Sequence, residues 1–397
     1  GKPLPSSVSH GRQVFSEMVG RDREMDKLEF QVMKAINGEG SVVNIVGEAG
    51  IGKSRLIAEL KKRDVIRRVT FLEGRAISIG RNLSFHPIIN LFKHWAQIVE
   101  DDSESQAIAK LKLAIRTVHP EETDEIMPFV ATLMGMKLWG RYAERIEGIE
   151  GEALEKLILK NLRDLMIKGS ELQTMVIVME DLHWADDSSL ELLQSLYGLA
   201  EKHRVLFINV FRPGFLGERG TKVTSGAHET IEIHSLEKRD GEALINNMLE
   251  IKGLPFSIKE LILDRAGGNP FFIQEVVHSL IDDGMVVRGS QGFEVTKKID
   301  QVVIPPTIND VLMARIDRLE EETRELVKVA SVIGRSFFDR ILKDVADSID
   351  KVDDRLSYLK DVQLIRERRR LQELEYLFSH ALAQEAAYKS TLLQQRK

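Results

Sequence analysis

Gly47-Glu48-Ala49-Gly50-Ile51-Gly52-Lys53-Ser54 sets two glycines, a lysine and a hydroxyl at the spacing G-x-x-x-x-G-K-[ST], the pattern of a loop that wraps phosphate groups. Glycines let successive backbone N–H groups turn inward around an anion, and a helix starting at the end of the loop adds the positive end of its dipole. Lys53 would reach the β- and γ-phosphates of a nucleoside triphosphate. Ser54 would offer a hydroxyl oxygen to Mg2+, which prefers oxygen ligands. Arg55 follows directly and is counted with Gly47 to Ser54 among the candidate nucleotide-binding residues.

Such a loop needs an acidic residue at the end of a neighbouring strand to complete the magnesium site. Val176-Ile177-Val178-Met179 leads into Glu180 and Asp181. Glu180 is the candidate for the metal and its bound water, and Asp181 for positioning or deprotonating the attacking water. Adjacent residues at a strand end point in different directions, so the two carboxylates can serve different atoms. A later apolar run ends in Phe211-Arg212-Pro213, which brings Arg212 to the carboxyl edge of a parallel sheet, where ligands lie in open α/β folds. It could sense the γ-phosphate there, or pair with a surface carboxylate. His183 and Trp184 follow the acidic pair, but a single histidine among carboxylates is too small a ligand set for zinc.

To hold these residues the chain must supply strands that end where the loop begins. Ser41 to Val46 is short, β-branched and bounded by glycines, as a buried parallel strand would be, and a helix is expected over 53–62. Helical spacing of Met25, Leu28, Val32, Ala35 and Ile36 predicts a first helix from Asp22 to about Ile36. Further strands are expected at Val69–Leu72, Met175–Met179, Val205–Phe211 and Glu229–Ile233, with a helical insert over about 85–168 and a helix over 188–200. Strands alternating with helices imply a parallel α/β sheet with right-handed crossovers. Beyond Leu236 the strands largely stop, and helices near 238–251, 257–266 and 270–283 suggest a small helical domain. Pro305-Pro306 marks a break before helices near 307–319, 322–333 and 351–361. A two-stranded ribbon over 364–378 would complete a winged-helix pattern, although Arg366 to Arg370 would also suit a solvated helical face.

Taken in order, Val19-Gly20-Arg21, GEAGIGKS at 47–54, MEDLHWAD at 179–186, FRPG at 211–214 and GGNPFF at 267–272 resemble a STAND-class signal-transduction P-loop ATPase of the AAA-like type, which accompanies cyclase or transcription-factor domains. The stretches IPPTINDVLMARIDRL and FSHALAQEAAY resemble the same family, so the likeness covers most of residues 17 to 390. It implies that Val19, Gly20 and Arg21 lie at the nucleotide base, that Pro270 reaches the nucleotide from the helical domain, and that a repeat-type sensor follows residue 397. The family often has aspartate where this chain has Glu180; the carboxylate remains. From the residues alone, Gly267-Gly268-Asn269-Pro270 is a helix stop followed by a helix start.

The expected organisation is therefore a linker over 1–16, a P-loop NTPase domain over 17–236, a helical lid domain over 237–285, a winged-helix-like domain over 286–378, and the start of a truncated helical region over 379–397. Gly1 without a leader, and a chain that breaks off over Leu392–Lys397, suggest truncation at both ends. The 397 residues suit two to four packed units. A 43% hydrophobic and 30% charged composition supplies an ordinary globular core. Net charge of -6 opposes nonspecific binding to a phosphate backbone, no apolar run is long enough for a membrane helix, and the absence of cysteine removes disulfide and thiolate chemistry and is compatible with a cytoplasmic setting.

The leading expectation is a slow, Mg2+-dependent ATPase that switches between ATP and ADP states. Its partners would be the nucleotide, attached or separate signalling domains and, in some settings, a second copy of the chain. An AAA-type loader using its winged helix on duplex DNA is the alternative, motivated by the basic run Arg366 to Arg370. A small-molecule kinase would need an acceptor pocket in the insert, where nothing resembles one.

Overall fold

The computed structural model describes residues 17–77, 84–99, 102–215, 228–249, 254–289, 292–296, 299, 302–370 and 373–391. The expected linker over 1–16 and the chain end over 392–397 lie outside these. The chain divides into one compact unit of residues 21–234 and another of residues 235–397 together with 1–20.

The first unit is built on five parallel strands, β1 Ser41–Gly47, β2 Thr70–Arg75, β3 Met175–Glu180, β4 Val205–Phe211 and β5 Glu229–Ile233, in the order β2-β3-β4-β1-β5. β1 and β4 are buried along their whole length, as expected of parallel strands covered on both faces. Side chains alternate between those faces. Val42 and Val46 join a core with Phe207, Phe211 and the helical insert, while α1 Asp22–Ile36 and α2 Lys53–Leu60 also pack on the sheet. One polar chain crosses this apolar interior. Tyr197 donates its hydroxyl hydrogen to Asn209 Oδ1 at 3.0 Å, and Asn209 Nδ2 donates to Asn44 Oδ1 at 3.0 Å. Because Asn44 and Asn209 are register partners, a slipped β1–β4 pairing would strand both amides in hydrocarbon.

The insert after β2 folds as α3 His86–Trp95, α4 Glu104–Val118, α5 Thr123–Leu133, α6 Arg141–Ile146 and α7 Gly151–Leu172. Ser103 and Gln106 form a capping box that starts α4. β2 differs from its expected range, running to Arg75 instead of stopping at Leu72. Glu73 and Gly74 make a poor strand by composition, but pairing with β3 continues through Gly74↔Met179 and Arg75↔Glu180, and the ladder overrides local propensity. α8 Asp187–Tyr197 follows β3, capped by Asp186, whose carboxylate accepts from the Ser189 backbone N–H at 2.8 Å.

The second unit opens with α9 Lys238–Leu249, α10 Phe256–Ala266 and α11 Pro270–Asp282, packed around Leu244, Ile262, Ile273 and Val277. Strands do not stop here, as the sequence suggested: β6 Val286–Gly289 and β7 Gly292–Val295 pair antiparallel. α12 Ile308–Asp317 and α13 Glu321–Ile333 precede a short strand, β8 Ser336–Phe338, then α14 Asp339–Val345 and α15 Val352–Asp361. β9 Ile365–Arg370 and β10 Glu373–Phe378 form the expected antiparallel ribbon, and β8 extends it on the far side of β10. The arginine run is therefore strand, not helix. α16 Ala381–Ser390 follows.

An ion cluster ties α11 to its neighbours inside this unit. Arg315 on α12 donates to Glu275 of α11 and, at 2.6 Å, to the Val362 carbonyl oxygen, with Asp282 of α11 at 3.3 Å. The Arg315 and Glu275 side chains are only 2% and 6% exposed. Phe271, also on α11, stacks on His380 at 3.7 Å between ring centres. Among the described residues, no helix is long and apolar enough to cross a membrane.

Candidate functional site

Gly47 ends β1 because there is no room for anything larger: a Cβ there would meet Ile51 Cγ2 at 2.8 Å and the Ile233 carbonyl oxygen at 2.9 Å. Gly52 caps the start of α2 with φ of 106°, a conformation that glycine adopts without strain. Between them Glu48 is exposed and Ile51 is buried, anchoring the loop to the core. The first residues of α2, Lys53 and Ser54, thus stand at a helix N-terminus, where the first backbone N–H groups have no acceptor within the helix, as an anion site requires.

Lys53 is buried, and its Nζ donates to the carbonyl oxygens of Gly47 at 2.6 Å and Glu48 at 2.8 Å. Its ammonium therefore lies along the loop that would surround phosphate. Burial pushes its pKa down to about 8; the positive charge of Arg212 acts in the same direction, against the pull of Asp181, Glu48 and Glu180. Arg212 follows β4, half-buried, where its charge is felt at Lys53. Lys53→Ala removes the cation that would neutralise the β- and γ-phosphates, and ATP affinity is expected to fall about tenfold or more by calorimetry. In the unsubstituted protein the free lysine loses its proton above pH 8 whereas the phosphate-bound lysine must keep it. Binding then takes up a proton, and affinity is expected to fall about tenfold from pH 7 to pH 9, a dependence that Lys53→Ala should lack.

The two motifs meet at one atom. Ser54 Oγ donates to Glu180 Oε2 at 2.6 Å, although the residues lie on α2 and at the end of β3, with β4 between β1 and β3 in the sheet. A hydroxyl and a carboxylate converging in this way are hard oxygen donors of the kind Mg2+ takes, so the residues present fit the ion. Asp181, the next residue, sits at φ of 57°, a left-handed conformation that aspartate tolerates better than most residues. The turn is closed by the Trp184 N–H donating to the Asp181 carbonyl oxygen at 2.8 Å.

Sequence reasoning missed Arg75. Its Nη2 donates to the same Glu180 Oε2 at 2.7 Å, and its Nε lies 3.4 Å from Asp181 Oδ2. Burial disfavours its charge, but Glu180 and Asp181 more than offset this and raise its pKa. The one available signal was a basic residue shortly after a strand that could neighbour the acidic one.

The remaining candidates fall in separate places. Arg21 is buried at the start of α1, donating to the His234 carbonyl oxygen at 2.6 Å and the Ile51 carbonyl oxygen at 3.4 Å, with Glu24 at 3.5 Å. Its guanidinium thereby braces the phosphate loop from behind. Arg55 pairs with Glu59 at 2.7 Å on the exposed side of α2, and Ala49 and Gly50 are half-buried in the loop. In the second unit, Val19 packs against the core of the helical part and Gly20 sits against Asp240. Pro270 is the first residue of α11, where Asn269 Oδ1 accepts from the N–H groups of Phe271 and Phe272 at 3.0 and 3.2 Å. Gly268 is not a loose joint: an added Cβ would meet the Leu236 carbonyl oxygen at 2.4 Å, and the Leu236 N–H donates to the Gly268 carbonyl oxygen at 2.8 Å.

Residues 17–208 match the AAA ATPase domain family, and residues 237–287 match a domain of unknown function. An uncharacterized protein of Rhizobium meliloti is 24% identical over 393 residues, covering 96% of this chain and 36% of its own length. Among solved structures, a STAND protein with a tetratricopeptide repeat sensor from Pyrococcus horikoshii aligns over 98% of this chain and 45% of its own, with a TM-score of 0.51 and 16% identity. That likeness supports the fold: a five-stranded parallel P-loop sheet followed by a mostly helical region. The Aeropyrum pernix ORC1 protein, solved with DNA, aligns over 96% of this chain and 95% of its own, at a TM-score of 0.43 and 13% identity, too distant to carry an argument. The chain thus spans about a third of the curated relative and under half of the STAND structure.

Proposed function

We propose that this chain, which carries an AAA-type P-loop ATPase domain, is a nucleotide-controlled switch that binds ATP and ADP, hydrolyses ATP slowly, and passes the difference between the two states to its second unit and to attached signalling domains. The observation that carries the proposal is the Ser54–Glu180 hydrogen bond of 2.6 Å, which closes two motifs far apart in sequence around one prospective metal position. Ser54 and Glu180 would hold Mg2+, which would supply positive charge against that developing on the phosphates. Gly47 to Ser54 cradle the phosphates, Lys53 leaves its carbonyl partners for them, and Asp181 takes the proton of the attacking water. Arg212 meets the γ-phosphate. Val19, Gly20 and Arg21 belong to the base region and Pro270 to the bound nucleotide in the closed state. A cytoplasmic setting and a sensor beyond residue 397, like that of the Pyrococcus protein, complete the reading.

Hydrogen exchange tests the switch. Amide protection over residues 267–282 is expected to differ between the ADP-bound protein and the protein bound to a non-hydrolysable ATP analogue, and identical protection would overturn the switch. If Pro270 closes over ADP, release limits turnover, and Pro270→Ala should speed the release of a fluorescent ADP analogue severalfold in stopped flow. A proline that only starts its helix predicts lower thermal stability with unchanged release. The loader alternative rests on the basic run of β9; the side chains of Arg368, Arg369 and Arg370 lie outside the described residues. The acidic chain is expected to bind duplex DNA no tighter than about micromolar at physiological salt, since one short basic strand offers few phosphate contacts.

A further inference from the structure

The carboxylates that would receive the metal are already matched with a cation of the protein's own. Glu180 Oε2 accepts from Arg75 Nη2 at 2.7 Å and from Ser54 Oγ at 2.6 Å, and Arg75 Nε faces Asp181 Oδ2 at 3.4 Å. One guanidinium thus hydrogen-bonds Glu180 and lies within ion-pair distance of Asp181, so its charge faces both acids. Its position is fixed by the sheet: Arg75 ends β2 directly opposite Glu180 in the parallel register, and the Ala76 N–H donates to the Glu180 carbonyl oxygen at 3.0 Å. The arginine side chain is 37% exposed, whereas those of Glu180 and Asp181 are 12% and 18% exposed. Two largely buried, adjacent carboxylates would otherwise repel each other and attract any divalent cation in reach.

Resting on the nucleotide-site reading above, we infer that Arg75 is a positioning residue that acts as the resident counter-ion of Glu180 and Asp181, suppressing divalent-metal binding until nucleotide phosphates arrive with the ion. A metal approaching without nucleotide would meet Glu180 Oε2 already engaged by Ser54 and Arg75, with a positive charge beside it. The β- and γ-phosphates would bring the extra negative charge and oxygen ligands that favour the ion, and the guanidinium would then give up Glu180 Oε2. Metal and nucleotide therefore enter as a complex, and the protein has little affinity for either Mg2+ or Mn2+ alone.

The test is Mn2+ binding to the nucleotide-free full chain, followed by electron paramagnetic resonance of the free ion. Arg75→Gln and Arg75→Met both remove the charge, the second keeping the apolar stem for packing, and either is expected to raise Mn2+ affinity at least tenfold. Arg75→Lys should stay within threefold of the unsubstituted protein, because it restores the charge without the fork. ADP affinity in the presence of a chelator should change less than threefold in all three variants, since the phosphate loop is intact. Unchanged Mn2+ affinity in the neutral variants, with ADP still bound, would overturn the counter-ion role alone. Failure of the unsubstituted protein to bind ADP at all would overturn the nucleotide-site reading instead.

Discussion

Asp181→Asn is expected to leave ATP and Mg2+ binding within a few-fold of the unsubstituted protein while slowing single-turnover hydrolysis about a hundredfold or more, the usual scale of general-base removal. The expectation follows from position and chemistry. Asp181 directly follows the strand whose last residue, Glu180, meets Ser54, so it stands beside the prospective metal, on a left-handed backbone at φ of 57°. Asparagine accepts this backbone conformation about as readily as aspartate, which makes the substitution a test of the carboxylate and not of the turn. An amide still positions water but cannot take its proton. Single-turnover measurement with pre-bound ATP separates this step from nucleotide release. Hydrolysis near the unsubstituted rate would transfer the role to Glu180.

Arg315→Ala is expected to destabilise the second unit by about 3 to 5 kcal/mol, read from urea denaturation. The effect is large because Glu275 is 6% exposed in its side chain and, without the guanidinium, becomes a buried charge with its principal partner gone. Val362 would also lose the donor to its carbonyl oxygen. Removing both members of the pair, as Arg315→Met with Glu275→Leu, should cost less than Arg315→Ala alone, because the buried Glu275 charge goes with its partner while Asp282, 24% exposed, keeps access to water. A double substitution as damaging as the single one would show that the cluster matters chiefly for packing.

The two predictions differ in how much the sequence revealed. The phosphate loop and the acidic strand end were legible because each is local: glycine, lysine and hydroxyl at fixed offsets, or an apolar run that stops at carboxylates. Strand–helix alternation carried the parallel sheet for the same reason. Arg75 was hidden because its meaning depends on register, and composition around Glu73-Gly74 argued that the strand had already ended. Glu275 and Arg315 were hidden because each, alone, is an ordinary charged residue on an amphipathic helix; only the packing of α11 on α12 makes them a pair. Short elements such as β6, β7, β8 and α14 escaped because so few residues give little periodicity to read. Gly268 reads in the sequence only as part of a helix stop, whereas its close approach to Leu236 gives it a packing role.

The helix Pro270–Asp282 has thirteen residues and is therefore about 20 Å long. Asn269 clamps its first turn, and Arg315 grips it through Glu275 and Asp282 farther along. In engineering terms it is a pushrod, not a spring. A rod seated at its tip and bolted along its shaft has almost no backlash, so a small displacement at Pro270 would reach the Val362 end of the unit nearly undiminished. Compliance built into that span would average such a displacement away among many side-chain adjustments. Stiffness at one buried guanidinium would thus set how faithfully any movement at the helix start is delivered along the rod.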